Sequence, residues 1–398
     1  MDAYLSKANA VPIVVIDYGN RTHVLGGYSS SSMISKHQQE LQSEPTRVSS
    51  DCNVVGEKSN LESAILGRRV ESFDALRAVF EALFYENFGW NKPEEEEEEE
   101  KNKKNVFIVE PILASRRERE RVCQMLFEEF RVSGYAAENA AVCALAGVGR
   151  LNGISVDVGA ETVDCATVSD GKIVESTCRR IEGGGERCCE KALFGTTVRE
   201  GKEIYAEMEK WDRMIVNRHL ARVRWSADDG KNGGGEGMES YQLPDGNKIS
   251  VETKDAFALG DALYCCSSNT DDDANSKIVE AIQSAVENSF RHAQAGHFFS
   301  HGKENAFECV VAHGTESSVK GLRERLGEDI RTKIAPENAK VNVVASAPDY
   351  LHEKSMEYLS WTGGAVLGKV TWNLNQQISK SAYEEWGPNV ANRNRNSF

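Results

Sequence analysis

Apolar positions along the chain fall into short runs separated by polar turns. Val11–Asp17 is an apolar run ending in Asp-x-Gly, the pattern of a buried strand and its exit. Leu76, Val79, Phe80, Leu83 and Phe84 recur at helical spacing and mark one inward face. Asn105–Glu110 reads as a second buried strand. Ser115 then opens a helix with Glu118 three residues on, a capping box, and Val122, Met125, Leu126 and Phe130 face inward. Gly153–Val158 is a strand that again ends in Asp-x-Gly. Ile278, Ile282, Ala285 and Val286 mark a later helix. Phe307–Ala312 reads as a strand, with a helix following on Val319, Leu322, Leu326 and Ile330. Strands alternating with helices predict an α/β protein with mainly parallel central sheets.

Between these elements lie stretches without periodicity. Ser29–Ser59 holds nine serines, and Glu94–Glu100 is an unbroken run of seven glutamates. Like charges at that density repel and extend a chain, so a solvated loop is expected. Asp228–Glu239 is glycine-rich and Ser267–Ser276 polar; both read as mobile loops.

The length of 398 residues is enough for two domains and a sizeable core. The net charge of −15 argues against bulk or sequence-specific nucleic-acid binding. No apolar run reaches about 18 residues, so no membrane-spanning helix is expected, and Met1–Ala10 does not read as a signal peptide. None of the ten cysteines forms a CxxC pair, and Cys188-Cys189 and Cys265-Cys266 are vicinal. That usage reads as reduced thiols in an intracellular protein. The eight histidines form no metal-binding or triad pattern.

The chemistry is concentrated in a loose repeat. VIDYGNRTHVLGG (Val15–Gly27) and SVDVGAETVDCATV (Ser155–Val168) each run strand, Asp-x-Gly, polar turn, strand, with Asp17 and Asp157 140 residues apart. A single such hairpin is usually only a turn. Two of them at domain-sized separation could bring backbone N–H groups onto phosphates, with the aspartates ordering the waters of Mg2+. A third glycine-bearing site, VVAHGTESSVKGL (Val310–Leu322), leaves a buried strand at Gly314-Thr315 and enters a helix. A ligand contact and a plain capped turn both satisfy that pattern.

These three sites together resemble the phosphate and adenosine loops of the actin family. Collinear segments extend the likeness: NVFIVEPILASRRERERVCQMLFEEF (Asn105–Phe130), LPDGNKISV (Leu243–Val251), YLSWTGGAVLGKV (Tyr358–Val370, with a Trp-x-Gly-Gly turn) and ISKSAYEEWGPNVANR (Ile378–Arg393). Arg131–Gly153 and GGGER (Gly183–Arg187) look closest to a plant-type class of actin-related protein, numbered seven, found in nuclear chromatin-remodelling assemblies. The resemblance implies two lobes, each a duplicated mixed sheet flanked by helices, around a nucleotide cleft. The first lobe would span 1–152, with a mobile insertion at about 29–60 and an acidic loop at 91–104. The second would span 153–352 with the Gly-rich loop 228–239, and 353–398 would return to the first.

Carried over position by position, the resemblance implies nucleotide contacts from Asp17, Gly19, Asn20, Arg21, Asp157, Gly159, Gly185, Gly314, Thr315 and Tyr358. Asp17 and Asp157 would approach Mg2+ through water, with ATP or ADP as the cofactor. Departures are many. The phosphate-binding lysine falls at Val24, the water-positioning glutamine at Ala140 beside Asn139, and a second carboxylate at Ala160 beside Glu161. His313 replaces a glycine of the adenosine loop, and Ile215–His219 offers no clear adenine contact. Hydrolysis needs an oriented water and charge stabilisation, which alanine cannot supply, so ATPase activity is expected to be very weak or absent. The implied role is a non-polymerising nuclear scaffold that docks on a helix of a remodelling ATPase beside a second actin-like subunit. A cytoplasmic, cytoskeleton-associated protein or a nucleotide-dependent switch is the alternative.

Overall fold

The computed structural model describes residues 12–18, 23–28, 46–49, 51–53, 61–91, 104–182, 198–208, 210–225, 237–265, 276–293, 307–344 and 353–393. The chain forms two compact units, Met1–Gly147 with Ser360–Phe398, and Val148–Leu359.

In the first unit, β1 (Ile13–Asp17) folds back antiparallel into β2 (His23–Tyr28), which pairs with β3 (Thr46–Ser49). On its other side β1 runs parallel to β4 (Asn105–Glu110), and β4 parallel to β5 (Gly134–Asn139). Helix α1 (Phe73–Glu81) starts at Ser72, whose hydroxyl accepts the Ala75 N–H at 3.2 Å. The expected apolar face is present, but Leu83 and Phe84 lie in a wide turn, Ala82–Asn87, closed by Phe88 N–H to Leu83 O at 2.9 Å. Helix α2 (Arg116–Glu128) opens with the expected capping box: Glu118 N–H donates to Ser115 Oγ and Ser115 N–H to Glu118 Oε2. Leu76, Phe80, Val122, Leu126 and Phe130 bury against Val14, Ile16, Val106 and Ile108 of the sheet. Helix α3 (Ala140–Gly147) follows β5 directly.

The second unit repeats the plan. β6 (Gly153–Val158) turns back antiparallel into β7 (Thr162–Ser169), which also pairs with β8 (Lys172–Ile173) and β9 (Arg179–Glu182). Helix α4 (Lys210–Leu220) and the hairpin of β10 (Met238–Gln242) and β11 (Lys248–Glu252) lead into α5 (Thr253–Cys265) and α6 (Lys277–Ala293). β12 (Val310–His313) returns parallel to β6, and α7 (Leu322–Asp329) follows. Leu259, Leu263, Ile278, Ile282, Leu322 and Leu326 pack on Ile154 and Val156.

After Leu359 the chain rejoins the first unit through α8 (Leu359–Asn373), β13 (Ile378–Ser379) and α9 (Lys380–Trp386). β13 pairs antiparallel with β5 and completes a six-stranded sheet in the order β13-β5-β4-β1-β2-β3. Tyr383 stacks on Phe127 at 4.5 Å, and its hydroxyl donates to Glu128 at 2.7 Å.

Several expectations are corrected. Both main sheets are mixed rather than mainly parallel, because each central strand turns straight back through its Asp-ended hairpin. The strand expected at Phe307–Ala312 is Val310–His313. Pairing with β6 begins only where Cys309 O accepts the Ile154 N–H at 2.9 Å. The Trp-x-Gly-Gly segment is helix interior, not a turn. A Cβ on Gly363 would lie 1.6 Å from Cys143 O and one on Gly364 2.5 Å from Val109, so the glycines let α8 lie directly on α3 and β4. Strands Thr46–Ser49 and Asp51–Asn53 lie within the stretch read as mobile, and β10 begins inside Asp228–Glu239. The glutamate run lies outside the described residues. Its flanks meet, with Lys104 Nζ donating to Asn91 O at 3.0 Å and sitting 5.5 Å from the Trp90 ring.

Candidate functional site

In the first unit, Asp17 ends the buried strand β1, held between Val109 of β4 and Leu25 of β2. Gly19, Asn20 and Arg21 lie outside the described residues, as does Gly185, so the turn after Asp17 is fixed here only at its two ends. Val24 is in β2. Asn139 is buried, and its Oδ1 accepts the Ala141 N–H at 3.1 Å. It caps the start of α3, while Ala140 brings no polar group.

The second unit brings five expected residues into one corner: Asp157, Gly159, Gly314, Thr315 and Tyr358. Asp157 is the last residue but one of β6, where Asp17 is the last of β1, and it faces Asp164 on β7 and His313 on β12. Two facing aspartates would repel in a buried sheet. Arg180 of β9 relieves this with a bidentate bond to Asp164, Nε and Nη2 each at 2.7 Å. The turn after Asp157 closes with Gly159 N–H donating to Thr162 O at 3.0 Å, so that donor is committed to the hairpin. Ala160 is buried.

Gly314 has φ +94°, and a Cβ there would fall 2.2 Å from Asp157 Oδ1 and 2.9 Å from Val158 O. Only glycine lets this turn lie against the end of β6. Gly314 N–H donates to Met356 O at 3.0 Å, in the 3-10 segment Glu353–Tyr358 that carries the buried Tyr358. Thr315–Ser318 is itself a short 3-10 turn, and α7 starts seven residues after Thr315, at Leu322. The expected helix N-terminus at Gly314 is therefore absent. His313 is buried, with Nε2 2.8 Å from Ser155 Oγ.

The corner also holds groups that sequence reasoning missed. Arg218 of α4 donates from Nη1 to Thr315 O at 2.7 Å, and the same nitrogen is 3.3 Å from Glu357 Oε2. It lies in the stretch that offered no clear adenine contact; an arginine in the last turn of a helix there was the one available signal. Glu316 is almost fully buried beside this pair. Burial pushes its carboxyl up to about 7, the Arg218 cation opposing and Glu357 adding to the rise.

Two buried atoms of the corner, Thr315 Oγ1 and Arg218 Nε, have no hydrogen-bond partner among the described residues. Unsatisfied buried polar atoms call for a partner of their own. A polar ligand group fits here, alongside the aspartate of the turn. No group of three or more His, Cys, Asp or Glu among the described residues forms a metal cage.

The family model described as Actin matches residues 8–200 and 195–396, nearly the whole chain. The chain belongs to the actin family. Its fold is the expected one, two α/β units built on mixed sheets. This actin-family chain is 26% identical to Actin-related protein 7 of Arabidopsis thaliana over 333 residues, covering 81% of the chain and 82% of that protein. It is 26% identical to Actin-related protein 7 of Oryza sativa subsp. indica over 328 residues, 81% and 83%. Over 324 residues it is 25% identical to Actin-related protein 4 of Arabidopsis thaliana, 72% and 71%. The actin-related class expected from the sequence is thus among its relatives, at a divergent level.

Proposed function

We propose that this protein is a non-polymerising scaffold subunit of a nuclear chromatin-remodelling assembly, docking on an amphipathic helix of the remodelling ATPase beside a second actin-like subunit. The observation that carries this reading is a stripe on α8. Val366 and Val370 lie on the helix and Leu374 is the first residue beyond its end; the three follow at four-residue intervals and all are exposed, Leu374 by 60%. They extend about 12 Å along one side of the helix and its C-terminal end. Three such side chains left in water cost on the order of 2–4 kcal/mol that a partner's apolar face would recover. Apolar anchors at i and i+4 are what a helix laid alongside would match. Lys369, exposed next to the stripe, suits an acidic residue flanking the partner's apolar face.

Bound nucleotide in this account is structural. ATP or ADP with Mg2+ would bring polyphosphate charge, with the metal's waters ordered by Asp157. Gly314, Thr315 and Tyr358 would hold the nucleoside end, and Arg218 and Thr315 offer their unmatched donors there. Nothing at Ala140 or Ala160 orients or activates a water, so hydrolysis is negligible. Purified protein with ATP and Mg2+ should release phosphate at the no-protein rate. Turnover abolished by Asp157→Ala would instead make it an active switch.

The docking half is tested by capturing the tagged full-length protein from nuclear extract at moderate salt. Stoichiometric recovery of a remodelling ATPase and a second actin-like subunit is expected. Recovery of filament or microtubule-motor proteins from a cytoplasmic pool would overturn it.

A further inference from the structure

We infer that Arg218 is a positioning residue that fastens the Gly314–Thr315 turn to the segment Glu353–Tyr358 and so sets the shape of the nucleoside end of the site. The inference rests on the nucleotide half of the reading above and concerns how that site is regulated.

Three elements meet at this turn. Arg218 comes from α4, the turn is Thr315–Ser318, and Glu357 comes from the segment Glu353–Tyr358. One guanidinium nitrogen holds the carbonyl of Thr315 and the carboxylate of Glu357 together. Gly314 N–H to Met356 O ties the same two segments by backbone. All four side chains of the network are withdrawn from water: Arg218 is 8% and Glu316 3% exposed, Tyr358 is buried, and the Glu357 side chain is 12% exposed. A charge pair so far from water is weakly screened, and removing one partner strands the other.

The charged surroundings of Glu316 are specific. α4 contributes Arg218, and the 353–358 segment contributes Glu357. From β6 and β12 come Asp157, against Gly314, and His313, turned onto Ser155. From α7 comes Arg323, 3.5 Å from Ser317 Oγ. Arg218 is the cation that acts on both glutamates.

The test is thermal unfolding of full-length protein, stripped of nucleotide or saturated with ATP and Mg2+, between pH 6 and 8. Arg218→Met should unfold at least about 6 °C lower than wild type, the loss expected for breaking a buried pair. It should also lose more stability than wild type between pH 6 and 8, because Glu316 then ionises without the cation that opposes its rise. A purely packing role for the side chain would leave the pH profile unchanged. Arg218→Lys should restore the wild-type pH profile and part of the stability.

An Arg218→Met protein with wild-type stability and pH profile overturns the inference. Titration calorimetry with ATP and Mg2+ separates the two proposals. Absence of binding removes the nucleotide reading while leaving the Arg218 result intact. Binding without an Arg218 effect does the reverse.

Discussion

Gly314 is the residue whose replacement the geometry judges most severely. Its φ of +94° is open to few L side chains, and the space a Cβ would need holds Asp157 Oδ1 and Val158 O. Gly314→Ala should cost about 2–4 kcal/mol, from backbone strain plus overpacking, read as a lower midpoint in denaturant unfolding. Glu316 makes a prediction in pH. Burial raises its folded-state value to about 7, above the ordinary carboxylate value of an unfolded chain. The folded state therefore holds a proton that the unfolded state has released. Its contribution to stability is fully present in acid, below the unfolded value, and is lost as pH rises toward about 7. Glu316→Gln should flatten that part of the melting profile and raise stability at pH 8; a profile identical to wild type would refute the assignment. Asp157 and Gly314 were legible because Asp-x-Gly and strand-Gly-Thr are local patterns. Arg218, Glu357 and Arg180 were not, because each acts through partners far away in sequence, as Arg218 does on Thr315, 97 positions on.

At the scale of elements, local signals were sound where a single segment decides its own conformation. The capping box at Ser115 and Glu118 is one such case. Ser115→Ala should cost about 1 kcal/mol in unfolding free energy, with the rest of the fold retained. Segments whose form depends on a neighbour were read less well. Periodicity placed Leu83 and Phe84 on a regular helix, but the chain widens its turn there, and Phe84 stacks on Trp90 at 4.3 Å. Gly363 and Gly364 suggested a turn, whereas α3 and β4 press so close that α8 needs glycine inside the helix. Alternation of strands and helices alone suggested mainly parallel sheets, whereas the two Asp-x-Gly hairpins and the actin resemblance pointed to the mixed sheets that form.

For the whole molecule, the repeat between Val15–Gly27 and Ser155–Val168 foretold the doubled architecture. In each unit a central strand carries an aspartate at or next to its end, turns back antiparallel, and has a parallel partner on its other side. Family membership follows from the match across residues 8–396. The proposed function rests on an exposed apolar stripe on α8 and on Ala140 and Ala160, which fall where the actin resemblance places water-orienting groups. The most direct measurement compares tagged wild type with Val370→Glu in capture from the same nuclear extract. A charge in the middle of the stripe should cut recovery of the remodelling ATPase by about tenfold or more, with the melting temperature unchanged because Val370 is exposed. Equal recovery of the ATPase by both proteins would contradict docking through α8.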